Sequence, residues 1–233
     1  MEVAPAAHFW NGGVRINERC ETIVAGLFAA GEGSASIHGA NRVSGNALTM
    51  TQVWGPRAGK FAAMFANSIS RREIDPEQVT YLCQRLLAGF ERKAGSNSIE
   101  VRKQIRNLAF TKVGVVRNQA GLDDAINQIP NLKEETTRPS LKCKTRVYNM
   151  EWIEAIQNEN MITILEMVAR SSLMRTESRG ALYRTDYPEV NNIDWTKHIV
   201  IRQIDGKINL RTEPVNLSIS EPKRETRHFG IKE

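Results

Sequence analysis

The chain has 233 residues, 41% of them hydrophobic and 25% charged, with a formal net charge of +6. Such a chain suffices for one large domain or two small ones with an ordinary globular core. The basic residues are scattered without interleaved aromatics, which argues against a nucleic-acid surface, and no apolar run approaches the length of a membrane-crossing helix. Cys20, Cys83 and Cys143 are far apart and form no CxxC pair, which argues for a reducing compartment and against a zinc or iron–sulfur site. The N-terminus carries no signal-peptide pattern.

The first element in chain order is a predicted buried strand. Ile23-Val24 and Leu27-Phe28-Ala29-Ala30 are apolar and end at Gly31-Glu32-Gly33. Those glycines open like a dinucleotide fingerprint, but Ser36 stands third and a small, polar stretch follows instead of a helix, so a plain turn is the better reading. Arg42 then sits among residues of little bulk, where its planar fork could meet a carboxylate or phosphate; on spacing alone a surface arginine in a loop is the better reading. Asn46 is placed to cap a helix over about 47–69, kinked or restarted at Pro56. Gly55, Gly59, Ala62 or Ala63, and Ala66 give it a flat face suited to close packing.

Asp75-Pro76-Glu77-Gln78 marks the next helix start, with Val79, Leu82, Cys83, Leu86, Leu87 and Phe90 forming a core stripe. Ser98 is expected to cap a second helix with Val101, Ile105, Leu108 and Ala109 on one face. Leu122, Ala125, Ile126 and Ile129 suggest a third, ending before Pro130, and 131–146 reads as a charged connector. A further helix over about 150–174 has Ile153, Ile156, Ile164, Leu165, Val168 and Leu173 as its apolar stripe. Arg179 and Arg184 are expected to brace a loop through ion pairs with Glu177 and Asp186. Ile199 to Ile204 and Ile208 to Thr212 flank Asp205-Gly206, a favoured hairpin turn, with His198 at a strand entry and a polar tail over 221–233.

Several pieces, in order, resemble the flavoprotein subunits of succinate dehydrogenase and fumarate reductase, with L-aspartate oxidase a near relative. They are HFWNGG at His8 to Gly13, ET-x-V-x-GLFAAGE at Glu21 to Glu32, HGANR at His38 to Arg42, GNAL at Gly45 to Leu48, and WG-x-RAG at Trp54 to Gly59. Later, IRNLAFTKVGVVRNQAGLDDAINQI resembles the family's helical bundle, and the segment from Glu177 to Pro188 resembles ESRGAH-x-R-x-DYP with Leu182 in place of histidine. Trp10 and Asn11 stand where threonine and methionine or cysteine are common, Val43-Ser44 where Leu-Gly is common, and Ala47 where serine is common. The first of these changes lies beside a substrate ligand and leaves the particular dicarboxylate open.

The resemblance implies that His8 and Arg42 bind the carboxylates of a C4 dicarboxylate, that Glu32 contacts FAD, and that Ala47 and Leu48 meet the flavin ring through backbone groups. A dianionic substrate needs fixed cations or donors at both ends, and hydride transfer needs tight alignment. It also implies that the proton-donating arginine belongs to a capping domain outside this chain, so no catalytic residue and no metal ligand is assigned here.

The expected fold is α+β: the C-terminal remnant of an FAD-binding α/β domain over 1–70, a helical bundle over 71–176, and a loop with a small β-hairpin tail over 177–233. The expected function is FAD-dependent oxidoreduction of the fumarate reductase or succinate dehydrogenase type, with this chain supplying part of the active site. L-aspartate oxidase, and a structural or assembly subunit docking on a separate FAD-binding chain, are the alternatives. Expected partners are the dicarboxylate (fumarate or succinate), the N-terminal FAD-binding region and, as in many relatives, an iron–sulfur subunit. The expected location is cytoplasmic, peripheral on the inner face of a membrane through partner subunits.

Overall fold

A computed structural model describes residues 8–35, 37–71, 73–219 and 222–228. Ser36 of the glycine-rich turn, and Glu221 and 229–233 of the polar tail, fall outside them. The chain forms two compact units, Met1–Ile74 and Asp75–Glu233.

The first unit is irregular up to a single helix, α1 (Asn46–Ser68). Two isolated bridges, Val14 with Ser34 and Glu21 with Phe28, are its sheet-like pairings among the described residues. The strand expected over 23–30 is absent. Thr22 donates its amide to the Leu27 carbonyl at 3.0 Å, and Gly26 has φ 83°, so the apolar run folds back on itself. Its side chains are not buried: Ile23 is 71% exposed. Gly31 to Ser34 does form a turn, with the Ser34 amide and hydroxyl donating to the Gly31 carbonyl at 3.0 and 2.7 Å.

α1 is capped by Gly45 (φ 82°), not by Asn46, which is the first helical residue. The helix continues through Pro56 as one span rather than restarting. Its small-residue face lacks the close packing expected of it, since a Cβ on Gly55 or Gly59 would meet nothing within 4 Å. The preceding loops are tied to α1 by Arg57, which donates to the Glu18 carbonyl at 3.1 Å, by the Phe28–Phe65 edge contact at 6.1 Å, and by buried Cys20 beside the Trp54 carbonyl.

The second unit contains α2 (Pro76–Glu91), α3 (Ser98–Lys112), β1 (Val116–Arg117), α4 (Gln119–Thr137) and α5 (Met150–Met174). β2 (Tyr183–Arg184), β3 (Glu189–Asn191), β4 (Lys197–Ile204), β5 (Lys207–Pro214) and β6 (Thr226–His228) follow. Polar caps start the four helices: Asp75, Asn97, Asn118 and Asn149 each accept a first-turn amide. Asn97 replaces the expected Ser98 because its side-chain oxygen takes the amides of both Ile99 and Glu100.

The core is formed by α3, α4 and α5, with Val101, Ile105, Leu108, Leu122, Ala125, Ile129, Ile162, Leu165 and Ala169 in one buried cluster. α4 does not stop before Pro130 but runs to Thr137. Leu132 and Thr136 beyond the proline are buried, and their packing offsets the backbone bond the proline forfeits. The expected stripe of α5 holds in part: Leu165 is buried and Val168 and Leu173 pack on the core, but Ile153, Ile156 and Ile164 are exposed, and Asn158, Ile162 and Ala169 complete the buried face instead. The α2 stripe is likewise not core, for Val79, Leu82, Leu86 and Cys83 are all exposed. Its C-terminal end is held by the Trp152 indole donating to the Leu86 carbonyl at 2.9 Å and by Phe90 against Trp152.

β4 and β5 form the expected antiparallel hairpin, with Asp205 (φ 49°) and Gly206 (φ 75°) in the left-handed region that a tight two-residue turn requires. His198 is exposed at the start of β4. β1 pairs in parallel with β2, and β3 pairs antiparallel with β6.

The expected ion pairs are present, each with one buried member, Arg184 and Glu177, and one partner that reaches solvent, Asp186 and Arg179. Arg184 is 1% exposed, contacts Asp186 through Nε and Nη2 at 2.7 and 2.6 Å, and donates from Nη1 to the Arg175 carbonyl at the end of α5. Asp186 in turn accepts the Gln119 amide at 2.9 Å, at the start of α4. Arg179 binds the fully buried Glu177 carboxylate at 2.6 and 2.9 Å. Burial and the nearby Arg184 guanidinium lower the Arg117 pKa to about 10. The Arg184 hydrogen bond holds the Asp186 pKa below the usual carboxylate value. A depressed folded-state pKa gives stability that is present above the unfolded value and lost as pH falls through the folded one. Asp186→Ala should therefore cost about 1–3 kcal/mol in urea unfolding at pH 7, because it removes the carboxylate partner of the buried Arg184 guanidinium, which keeps its carbonyl partners. The difference from the parent should shrink as pH falls below about 3.9; a pH-independent difference would contradict the assignment.

Candidate functional site

The first unit brings HFWNGG and HGANR together. Val14 donates to the Gly33 carbonyl and accepts from the Ala35 amide, both at 2.8 Å, which lays the end of the first motif along the glycine turn. Gly13 (φ 127°) is required there, since a Cβ would lie 2.2 Å from the Gly33 carbonyl oxygen. The Glu32 carboxylate accepts the Trp10 amide at 2.8 Å, and the Asn11 amide donates to the Asn41 side-chain oxygen at 3.4 Å.

Phe9 is the hub. The Arg42 guanidinium carbon lies 4.3 Å from the centre of its ring, and the His38 imidazole meets the ring edge-on at 5.3 Å and 79°. A cation over an aromatic face is attracted by the ring quadrupole. Arg42 otherwise makes one long bond to the Val43 carbonyl at 3.4 Å, and its Nε is buried without a partner. Among the described residues no ion pair employs it, in contrast to Arg175, Arg179 and Arg184.

Of the residues named from sequence, Arg42 and Glu32 are thus joined to this cluster by direct contacts. His8 is exposed and adjoins Phe9 in the chain. Ala47 and Leu48 lie in the first turn of α1, whose start has no side-chain cap and no acidic residue. Amides at such an end remain available to a ligand. Leu48 is 71% exposed, and space is open around Gly31, Gly39 and Gly45. These features fit a flavin: a carboxylate at Glu32, free amides at Ala47 and Leu48, and glycines that let a planar group approach the backbone. Sequence reasoning marked Asn11 only as a departure beside His8 and missed Phe9 and His38, whose only signal was their place inside the same two motifs. Among the described residues no group of three or more His, Cys, Asp or Glu could hold a metal ion, and no helix is long and apolar enough to cross a membrane.

Comparison with known proteins defines the class. Residues 1–48 match an FAD binding domain, and residues 102–227 match the family described as "Fumarate reductase flavoprotein C-term". The class is therefore that of FAD-binding flavoproteins, and the cofactor is FAD. With more than half of its length matched, the chain belongs to the fumarate reductase and succinate dehydrogenase flavoprotein family. One of the subunits of the fumarate reductase (CoM/CoB) of Methanothermobacter marburgensis is 38% identical over 203 residues, covering 87% of this chain and 36% of that protein. The fumarate reductase flavoprotein subunit of Haemophilus influenzae is 30% identical over 229 residues, covering 96% and 38%. A point variant of Escherichia coli quinol fumarate reductase is similar in structure, with a TM-score of 0.85 at 29% identity over 95% of this chain and 39% of that one. The Mycobacterium smegmatis Sdh1 complex in the apo form gives 0.84 at 33%, covering 92% and 37%. The chain thus spans little more than a third of the relatives it matches. The α+β architecture, with its helical bundle and small strands, is that of the family.

Stacking on Phe9 should shield Arg42. Phe9→Leu should speed modification of Arg42 by a dicarbonyl reagent roughly twofold to fivefold, followed by peptide mass mapping, while Phe9→Tyr should leave the rate unchanged. Equal rates in all three proteins would contradict the stacking.

Proposed function

We propose that the protein is an FAD-dependent oxidoreductase of the fumarate reductase or succinate dehydrogenase type, acting on a C4 dicarboxylate, and that this chain supplies part of its active site. One observation carries the reading. Arg42 is held on Phe9 with, among the described residues, a buried, unpaired Nε and no carboxylate partner, a few residues before a helix start without a side-chain cap. A protein does not ordinarily leave a half-buried guanidinium unpaired unless a ligand completes it.

In this reading Arg42 binds one substrate carboxylate through its planar fork and His8 binds a carboxylate as well. Phe9 restricts the guanidinium, so less ordering remains to be done when the substrate arrives. Glu32 and the backbone amides of Ala47 and Leu48 hold the cofactor, with Glu32 also fixed by the Trp10 amide. When bound, FAD supplies the two-electron chemistry of hydride exchange with a carbon between the carboxylates. No residue of this chain is assigned the proton transfer; that role falls to an arginine of a capping domain. Residues 1–70 serve the cofactor and substrate, 71–176 the bundle and 177–233 the tail. An iron–sulfur subunit passes electrons, and the protein sits in the cytoplasm, held at the inner face of the membrane through its partners. The named relatives that are subunits of fumarate reductase or succinate dehydrogenase support this reading.

Arg42→Ala in the FAD-loaded protein should lower kcat/KM for fumarate about a thousandfold with a reduced viologen as donor. Arg42→Lys should recover only part of the loss, since an ammonium cannot reproduce the fork. Retained activity in Arg42→Ala would overturn the proposal, and oxidation of L-aspartate in place of fumarate reduction would reassign the substrate.

A further inference from the structure

The placement of unpaired polar atoms goes beyond the clamp just described. Six buried side-chain atoms lack a hydrogen-bond partner among the described residues, and four of them lie on Asn11, His38 and Arg42. The other two, on Ser98 and Asn158, are neighbours in the second unit, where Asn158 donates to the Ser98 carbonyl at 2.7 Å. The first unit therefore concentrates its unpaired atoms within two motifs. Buried polar groups are paired in the great majority of proteins, so such a concentration calls for a missing partner.

His38 is the extreme case. Both of its ring nitrogens are buried and unpaired. A neutral imidazole carries one N–H donor and one acceptor, so both of its functions are idle. A histidine kept for packing would normally give its N–H to a carbonyl, and this one does not. Its ring is fixed edge-on to Phe9, the same ring that carries Arg42. A Cβ on the adjacent Gly39 would meet nothing within 4 Å, so the chain does not fill the space beside it. Two idle N–H donors, on His38 and at Arg42 Nε, flank one aromatic ring. An oxyanion with more than one acceptor lone pair answers both.

We infer that His38 is a third substrate-binding residue, donating an N–H to the carboxylate that Arg42 holds. The inference rests on the dicarboxylate reading above and adds a contact to it. Phe9 then serves as a shared support, carrying Arg42 over its face and packing nearly perpendicular to the His38 ring.

The test uses the FAD-loaded protein and malonate, a dicarboxylate that cannot be oxidised or reduced at the site, followed by the flavin difference spectrum. His38→Phe keeps the ring against Phe9 and removes the donor; His38→Gln restores a donor. Malonate binding should weaken roughly tenfold to a hundredfold in His38→Phe and recover substantially in His38→Gln. FAD affinity and the thermal midpoint should stay at the parent values. Unchanged malonate affinity in His38→Phe overturns the inference, and so does a loss of FAD affinity with malonate binding intact, which would place the partner on the flavin. Should His38→Phe fail to fold, the imidazole 15N shifts of His38 in the parent protein decide: movement on adding malonate supports the contact, and no movement overturns it. A parent protein that does not respond to malonate at all overturns the functional reading, and this inference with it.

Discussion

The site depends on Arg42 lying over Phe9. These residues are 33 positions apart in sequence and meet because Gly13 permits backbone contact with Gly33. A side chain at Gly13 would push the HFWNGG segment off the turn, and Phe9 would no longer be presented to HGANR. The guanidinium gains attraction from the ring face without neutralisation, since among the described residues no carboxylate side chain answers it. In the proposed clamp its charge is left for a ligand, which makes one stacking contact the link between local backbone geometry and chemistry.

The second unit handles its arginines in the opposite way. Arg175, Arg179 and Arg184 are consumed by Glu177, Asp186 and carbonyls at the end of α5. Arg184 bridges from the C-terminal carbonyls of α5 to Asp186, which binds the first amide of α4, so positive charge meets the negative end of one helix dipole and negative charge the positive end of another. The contrast sharpens the reading of Arg42: these three braces are all answered by carboxylates, and Arg42 among the described residues is not.

What could be read from sequence follows from how local each signal is. α5 was legible over its whole length, and so was the β4–β5 hairpin, because an Asp-Gly pair dictates its turn by backbone sterics alone. The ion pairs of Arg179 and Arg184 were legible because each partner is two residues away. The Ile23–Ala30 run was misread because apolar content does not reveal the fold-back at Gly26. The α2 stripe and the Ile153, Ile156 and Ile164 part of the α5 stripe were misread because periodicity marks an apolar face without naming what covers it, and Cys83 and Ile164 are exposed in this chain, while Leu165, Val168 and Leu173 do reach the core. Arg42 could not be told from a surface arginine by spacing, and its meaning came from the order of motifs around it. His38 and Phe9 carried no signal of their own; their roles exist only in the contact between distant segments.

The most direct measurement is a crystal structure of the FAD-loaded protein with malonate bound. A carboxylate should lie within about 3 Å of the Arg42 guanidinium while that group remains stacked on Phe9. A dicarboxylate bound elsewhere, or Arg42 turned away from Phe9 toward solvent, would contradict the proposed clamp.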